Sequence, residues 1–202
     1  MEKISFAGKV ASMHPRIKLL RSFDQVPTHQ YQGYILCIEG TIESEEAEFR
    51  VAIGPKAQEK HQIQAGDNIS GKAVPIPNPT YEWAQYYRVS AIKLTQVGDR
   101  NPPSPDGGVP VPLPAYREHG HLRLDKKTAA SSCSTCPWSA FMTTEMIVDH
   151  WNPSKKKYRI ESHCYGPGAC PNYRPGRPYT VPGRGGLKYT DDDYERFQSG
   201  DS

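Results

Sequence analysis

The chain has 202 residues, 36% of them hydrophobic, a net charge of +3 and a mean hydropathy of −0.70. No apolar run approaches the roughly 18 residues of a transmembrane helix, and the charged N-terminus, MEKISFAGKVASMHPRIK, lacks the apolar stretch of a secretory signal. These features argue against a helical membrane protein and predict a cytoplasmic one with no membrane partner, in which five cysteines serve better as metal ligands than as disulfides.

Charge is unevenly spread. Residues 1–98 hold 11 Lys/Arg and 10 Asp/Glu, a balance of +1, whereas residues 117–188 hold 12 and 5, a balance of +7, before the acidic run DDDYE. A basic block closed by an acidic terminus points toward a polyanionic partner.

In chain order, ISFAGKVASM and RIKLLRSF predict one long strand, broken or bulged at His14-Pro15. QYQGYILCIEGTIE predicts a second strand, joined through the acidic turn ESEE to a third, AEFRVAIG. PKAQEKHQI reads as a short helix with Pro55 suited to its first turn. GDNISGKAVPI and YRVSAIKLTQV give strands four and five. Six prolines and two glycines in residues 102–114 exclude a helix or a central strand and predict an extended linker. The expected division is residues 1–99 as a β domain, 100–116 as linker, and 117–202 as a metal-binding module with a basic extended tail.

Three meandering strands, a short helix and two more strands resemble the OB-fold, a five-stranded Greek-key barrel. The lead into strand four, Gly66, Asp67, Ile69 and Gly71, adds to the resemblance. The fold class expected is therefore mainly β, an OB-like barrel followed by a zinc-ribbon-like module. The resemblance places a ligand on strands two and three and on the loop after strand four. That loop, PNPTYEWAQYY, carries Tyr81, Trp83, Tyr86 and Tyr87, followed by Arg88. Aromatic rings there are expected to stack on unpaired bases, with Arg50 and Lys72 nearby; the alternative for each ring is barrel core, and for Trp83 a plug in the barrel mouth. Alternation in strand three puts Phe49, Val51 and Ile53 inward and Glu48, Arg50 and Ala52 outward.

Further on, Cys133-x2-Cys136 and Cys164-x5-Cys170 flank a hairpin pattern, TTEMIVDHW and YRIESHCY around the turn NPSKKK. Two knuckles with a hairpin between them resemble a zinc ribbon, with zinc held by Cys133, Cys136, Cys164 and Cys170. The five-residue spacing of the second pair departs from the common ribbon, and both pairs end in Cys-Pro, so an iron–sulfur cluster is the alternative occupant. Cys37, within YILCIE, reads as a small buried residue. Phosphate contacts are expected from Lys155, Lys156, Lys157 and Arg159 at the hairpin, beside Trp151, and from Arg174 and Arg177 in the tail.

No Gly-rich phosphate loop, HExxH or Ser/His/Asp pattern stands in the chain, so binding is expected rather than catalysis. The expected partner is single-stranded nucleic acid or structured RNA. The alternatives are an accessory subunit of a larger protein complex and an iron–sulfur redox subunit.

Overall fold

The computed structural model describes residues 2–22, 25–98, 111–149 and 151–190. The first half runs β1 (Ile4–Ser22), β2 (Gln25–Ile42), β3 (Glu45–Ile53), α1 (Pro55–His61), β4 (Asn68–Pro75) and β5 (Tyr86–Gln96). The second runs α2 (Leu113–His119), β6 (Leu122–Arg123), α3 (Lys126–Ala130), β7 (Ser139–Ile147), β8 (Lys156–Cys164), β9 (Thr180–Pro182) and β10 (Lys188–Thr190). The protein is mainly β, as expected, and most of its strands join one mixed sheet of eight.

Pairing in the first half runs β1–β2, β2–β3, β3–β5, β5–β4 and β4–β1, so it returns to the strand on which it began. All of these ladders are antiparallel except β3–β5, which is parallel and rests on Val51 opposite Tyr86. Along one edge β1 pairs with β2 from Phe6–Ile42 to Ser22–Gln25. Along its other edge it pairs with β4 over Ile4 to Lys9, then in parallel with β7 over Lys18 to Ser22. β8 and β6 extend the sheet beyond β7.

The expected interruption at His14-Pro15 is absent: His14 faces Ile35 and Pro15 faces Tyr34 in an unbroken register. Proline is tolerated because β1 has a strand partner on one edge only between Lys9 and Lys18. The irregularities fall instead at Val10/Ser12, Arg16/Ile17 and Leu20/Ser22. Two glycines permit the close passage of β2. Gly40 lies opposite Gly8, and a Cβ on it would stand 2.2 Å from the Ala7 carbonyl oxygen. Gly33 has φ +123°, and a Cβ there would stand 2.1 Å from the Ile53 carbonyl oxygen.

Phe49, Val51 and Ile53 are buried as alternation predicts. They belong to a core that also holds Val10, Met13, Ile17 and Leu36 from the first half and Tyr116, Trp138, Met142 and Tyr165 from the second. Residues on both sides of the proline-rich segment thus share one apolar interior. Of the segment expected as linker, 100–110 lies outside the described residues, and 111–116 packs into the protein. Val111 and Tyr116 are buried there, the Tyr34 hydroxyl donates to the Val111 carbonyl at 3.0 Å, and the Tyr116 hydroxyl donates to the Pro137 carbonyl at 2.6 Å. α2 starts within the segment because proline suits a first helical turn, where no intrahelical donor is needed.

A polar seam joins the halves. Arg21 on β1 is 3% exposed and binds the fully buried Glu161 of β8 at 2.8 Å. Glu161 also accepts from Arg159 at 2.6 Å. Beside them the rings of His29 and His121 lie 4.7 Å apart, as do those of His121 and His163. Burial first, then the charge on Arg21, pushes His29 down to about 4. Burial, His29 and Arg21 push His121 down to about 3. Burial also lowers His14, whose ring meets the Ser139 carbonyl at 3.0 Å.

Two outcomes follow from this seam. Glu161→Gln leaves the buried guanidinium of Arg21 without this counter-ion, and breaking a buried pair in this way costs about 3–5 kcal/mol. Denaturant unfolding of the variant checks this, and a loss under about 1 kcal/mol contradicts the burial of the pair. The histidines predict a pH dependence. Their folded pKa values lie below the unfolded value of 6.5, so the unfolded chain takes up protons that the folded chain refuses. Stability is therefore full above pH 6.5 and declines as pH falls toward the folded values, by up to about 2 kcal/mol at pH 5 for each of His29 and His121. An unfolding midpoint that stays constant from pH 7 to pH 5 contradicts it.

Candidate metal centre and nucleic-acid interface

The four paired cysteines come together through the β7–β8 ladder. Cys164, the last residue of β8, lies opposite Ser139, the first residue of β7. The hairpin therefore brings the turn before β7 against the loop after β8. The first turn is set by α3, whose N-cap Asp125 accepts from the amides of Lys127 and Thr128, each at 3.0 Å. After α3, the Cys133 amide donates to the Thr128 carbonyl at 3.0 Å, and the Cys136 amide to the Cys133 carbonyl at 3.2 Å. The Ser139 hydroxyl also holds the Cys133 carbonyl, at 2.8 Å. In the second loop the Cys170 amide donates to the Pro167 carbonyl at 3.1 Å.

Cys133, Cys136, Cys164 and Cys170 all line one cavity of about 300 Å³, and none of the four is in a disulfide. Trp138, Pro167, Pro171 and Tyr173 complete much of its wall. The amide of Gly166 donates to the Cys164 sulfur at 3.4 Å, a bond that favours a thiolate. Burial, then the neighbouring Cys136, Cys164 and Cys170, pushes the Cys133 thiol up to about 11. A bound cation would reverse that balance by stabilising the thiolates. The donor set fits a thiophilic metal centre, although among the described residues no three His, Cys, Asp or Glu groups converge as a site for one ion. Cys37 stands apart, half-buried on β2, with burial raising its thiol.

The loop expected to stack bases packs partly against the protein: Tyr81 is exposed, and Trp83, Tyr86 and Tyr87 are half-buried. Trp83 stacks on Phe141 of β7 at 4.2 Å and 20°, and the His14 ring meets it edge-on at 5.3 Å. Arg50 covers the Trp83 ring at 5.1 Å and donates to its carbonyl at 2.8 Å. Tyr81 stacks on Tyr158 of β8 at 4.0 Å, and Glu82 between them binds Arg16 at 2.8 Å. Tyr86 packs edge-on against Phe49 at 6.1 Å. Ala52, expected to face outward, is buried with Ile35 and Ala84 beneath this loop. Arg88 is exposed at φ +51° with its guanidinium 5.1 Å from the Tyr87 ring, and Lys72 is exposed on β4. What remains open on the β2–β3 face is a recess lined by Glu39 and Glu48 as well as Arg50, a poor lining for phosphate.

A basic groove lies elsewhere, between the β7–β8 tip and the β9–β10 hairpin, with a volume of about 790 Å³. Alternation along β8 decides which lysines reach it. Lys155, Lys157 and Arg159 line it with Lys188, while Lys156 bonds Glu145, which Lys18 also binds at 2.6 Å. Arg159 reaches the Thr180 carbonyl at 2.5 Å and lies 5.0 Å from the Tyr179 ring, tying β8 to β9. Trp151 stands at the groove 76% exposed, the one ring of the notable aromatics so open among the described residues, with Leu187 60% exposed beside the same space. Asp149 is the groove's acid, 4.0 Å from Lys155. Arg174 is turned onto its own loop, donating to the Pro171 carbonyl at 2.9 Å, and Arg177 lines a second recess with Lys126 and Lys127.

Of the basic residues singled out in the sequence, Lys155, Lys157 and Arg159 line this groove, and the more exposed tryptophan is Trp151 rather than Trp83. The signal that separates them is context: Trp151 sits in a Lys/Asn/Pro-rich turn, Trp83 in a loop that also holds Ala84 and three tyrosines. No helix among the described residues is long and apolar enough to cross a membrane. Comparison of the chain with protein-family models, with curated proteins and with solved structures gave no match.

Trp83→Ala is expected to lower thermal stability, since it removes a half-buried ring packed between β3 and β7 at a cost of about 1–3 kcal/mol. Calorimetry or thermal circular dichroism measures this. An unchanged melting temperature, together with weakened ligand binding, would instead make Trp83 a binding residue.

Proposed function

We propose that this chain is a non-catalytic protein that binds single-stranded nucleic acid in the groove between the β7–β8 tip and the β9–β10 hairpin. The observation that carries the reading is Trp151, 76% exposed at a groove lined by Lys155, Lys157 and Lys188. An open indole offers a face to any base, and lysines around it meet the flanking phosphates. The strand order β1-β2-β3-β5-β4-β1, with α1 between β3 and β4, supports an OB-type barrel as the frame. In this reading the barrel's usual ligand face is closed by the chain's own loop, and the barrel serves as scaffold. A metal centre on Cys133, Cys136, Cys164 and Cys170 would bind the two ends of the β7–β8 hairpin together and hold the groove's shape. A bound metal supplies folding energy there, and the thiols hold it.

Affinity for a mixed-sequence single-stranded oligonucleotide across a salt series tests the reading. Trp151→Ala should weaken binding by ~1–3 kcal/mol with the salt slope unchanged, because a stacking face is lost and no phosphate contact. Replacing Lys155 and Lys157 with Ala should weaken binding and flatten the slope by about 0.7 per lost phosphate contact. Lys156→Ala should leave both untouched, since that side chain is held by Glu145. Wild-type protein that binds neither RNA nor DNA at low salt would end this reading. It would pass the groove, with its open Trp151 and Leu187, to a protein partner in a larger complex.

A further inference from the structure

We infer that the occupant of the four-cysteine cavity is an iron–sulfur cluster rather than a single zinc ion. The inference rests on the metal part of the proposed function and names its chemistry.

Zinc holds four thiolates at about 2.3 Å, which sets neighbouring sulfurs about 3.8 Å apart and leaves room for nothing but the ion. Cys133, Cys136, Cys164 and Cys170 meet at one place here. They wall a common cavity of about 300 Å³, a volume on the order of several water molecules. Among the described residues they do not converge as a one-ion site. Four thiols around a void, rather than around a point, suit a polynuclear core whose own inorganic sulfides fill the centre. Four cysteines are the ligand complement of both the two-iron and the four-iron cluster.

The chain around the cavity agrees. Cys133 and Cys136 share one tight turn, but Cys164 and Cys170 are separated by the loop Tyr165-Gly166-Pro167-Gly168-Ala169, of which Gly166, Pro167 and Ala169 line the cavity while Tyr165 is buried in the core. Gly166 sits close to the wall: a Cβ there would meet the Trp138 Cβ at 3.2 Å and the Cys164 sulfur at 3.5 Å. Its amide already donates to that sulfur, the kind of bond that tunes a cluster's potential. Trp138, Pro167, Pro171 and Tyr173 contribute apolar wall to the cavity. Cys133 and Cys164 are buried, while Cys136 and Cys170 are half-buried.

The test is metal analysis of the full chain, purified without oxygen, before and after anaerobic reconstitution with ferrous iron and sulfide. Equal iron and acid-labile sulfide, at the stoichiometry of a two-iron or four-iron cluster, with a brown colour that bleaches on reduction, is the expected result. Cys170→Ser should lose most of the iron and sulfide, and Cys37→Ser, away from the cavity, should keep all of it. Circular dichroism of each variant separates a lost ligand from a lost fold. Stoichiometric zinc, with no iron or sulfide even after reconstitution, overturns the cluster and leaves the metal centre standing. The absence of any stoichiometric metal overturns both. Full iron content in folded Cys170→Ser overturns the ligand assignment on which the inference stands.

Discussion

The rest of the structure depends on the hydrogen-bonding capacity of one strand. β1 is 19 residues long, and a strand has two edges. Its inner ladder with β2 occupies one edge throughout. The other edge is divided: β4 closes the first five strands on themselves at its N-terminal end, and β7 joins in parallel at its C-terminal end. An edge left open would be a liability. Here it becomes the means by which the chain after the proline-rich segment attaches to the chain before it.

The middle of that divided edge explains the aromatic loop. Between Lys9 and Lys18 no strand covers β1, and the side chains of the β4–β5 loop and of β7 meet there. Trp83, Phe141 and His14 stack in the gap, and Glu82 bonds Arg16 across it. Rings that in an open barrel would face a ligand are committed to joining two parts of one sheet. A surface with stacked aromatic rings, a bound arginine and two acidic neighbours offers little to a polyanion. The exposed basic surface is displaced to the far end of β8, where the hairpin tip projects past the sheet.

The same β7–β8 ladder has two consequences at its two ends. At one end its register sets Ser139 against Cys164 and draws four thiols around a cavity. At the other it sets Ile147 against Lys156 and presents alternate lysines to the groove. The sheet couples these ends mechanically, with the Arg21–Glu161 pair and the histidine cluster buried beside the ladder between them. A register slip of one residue would exchange the faces of Lys155, Lys156 and Lys157 and separate the cysteine pairs.

Much of this was legible in the amino-acid order. Period-two alternation in AEFRVAI, turn residues at ESEE and proline at position 55 placed β3, its hairpin and α1, because these signals are local. The cysteine spacings marked the four thiols that line one cavity for the same reason: a knuckle is made by a few adjacent residues. What alternation could not tell is which surface would be covered. Ala52 alternates outward on β3 and is buried, and Trp83, in a loop read as ligand-facing, stacks on Phe141, because each is covered by residues distant in the chain. Nor could proline content reveal that residues 111–116 pack into the core, since proline forbids only the strand interior and the helix middle, while a first helical turn accepts it. Sequence determines the elements and their chemistry through neighbours a few residues apart. Which faces stay open was decided only when β1 offered its second edge to β7, a pairing between residues more than a hundred positions apart that leaves no mark in either local pattern.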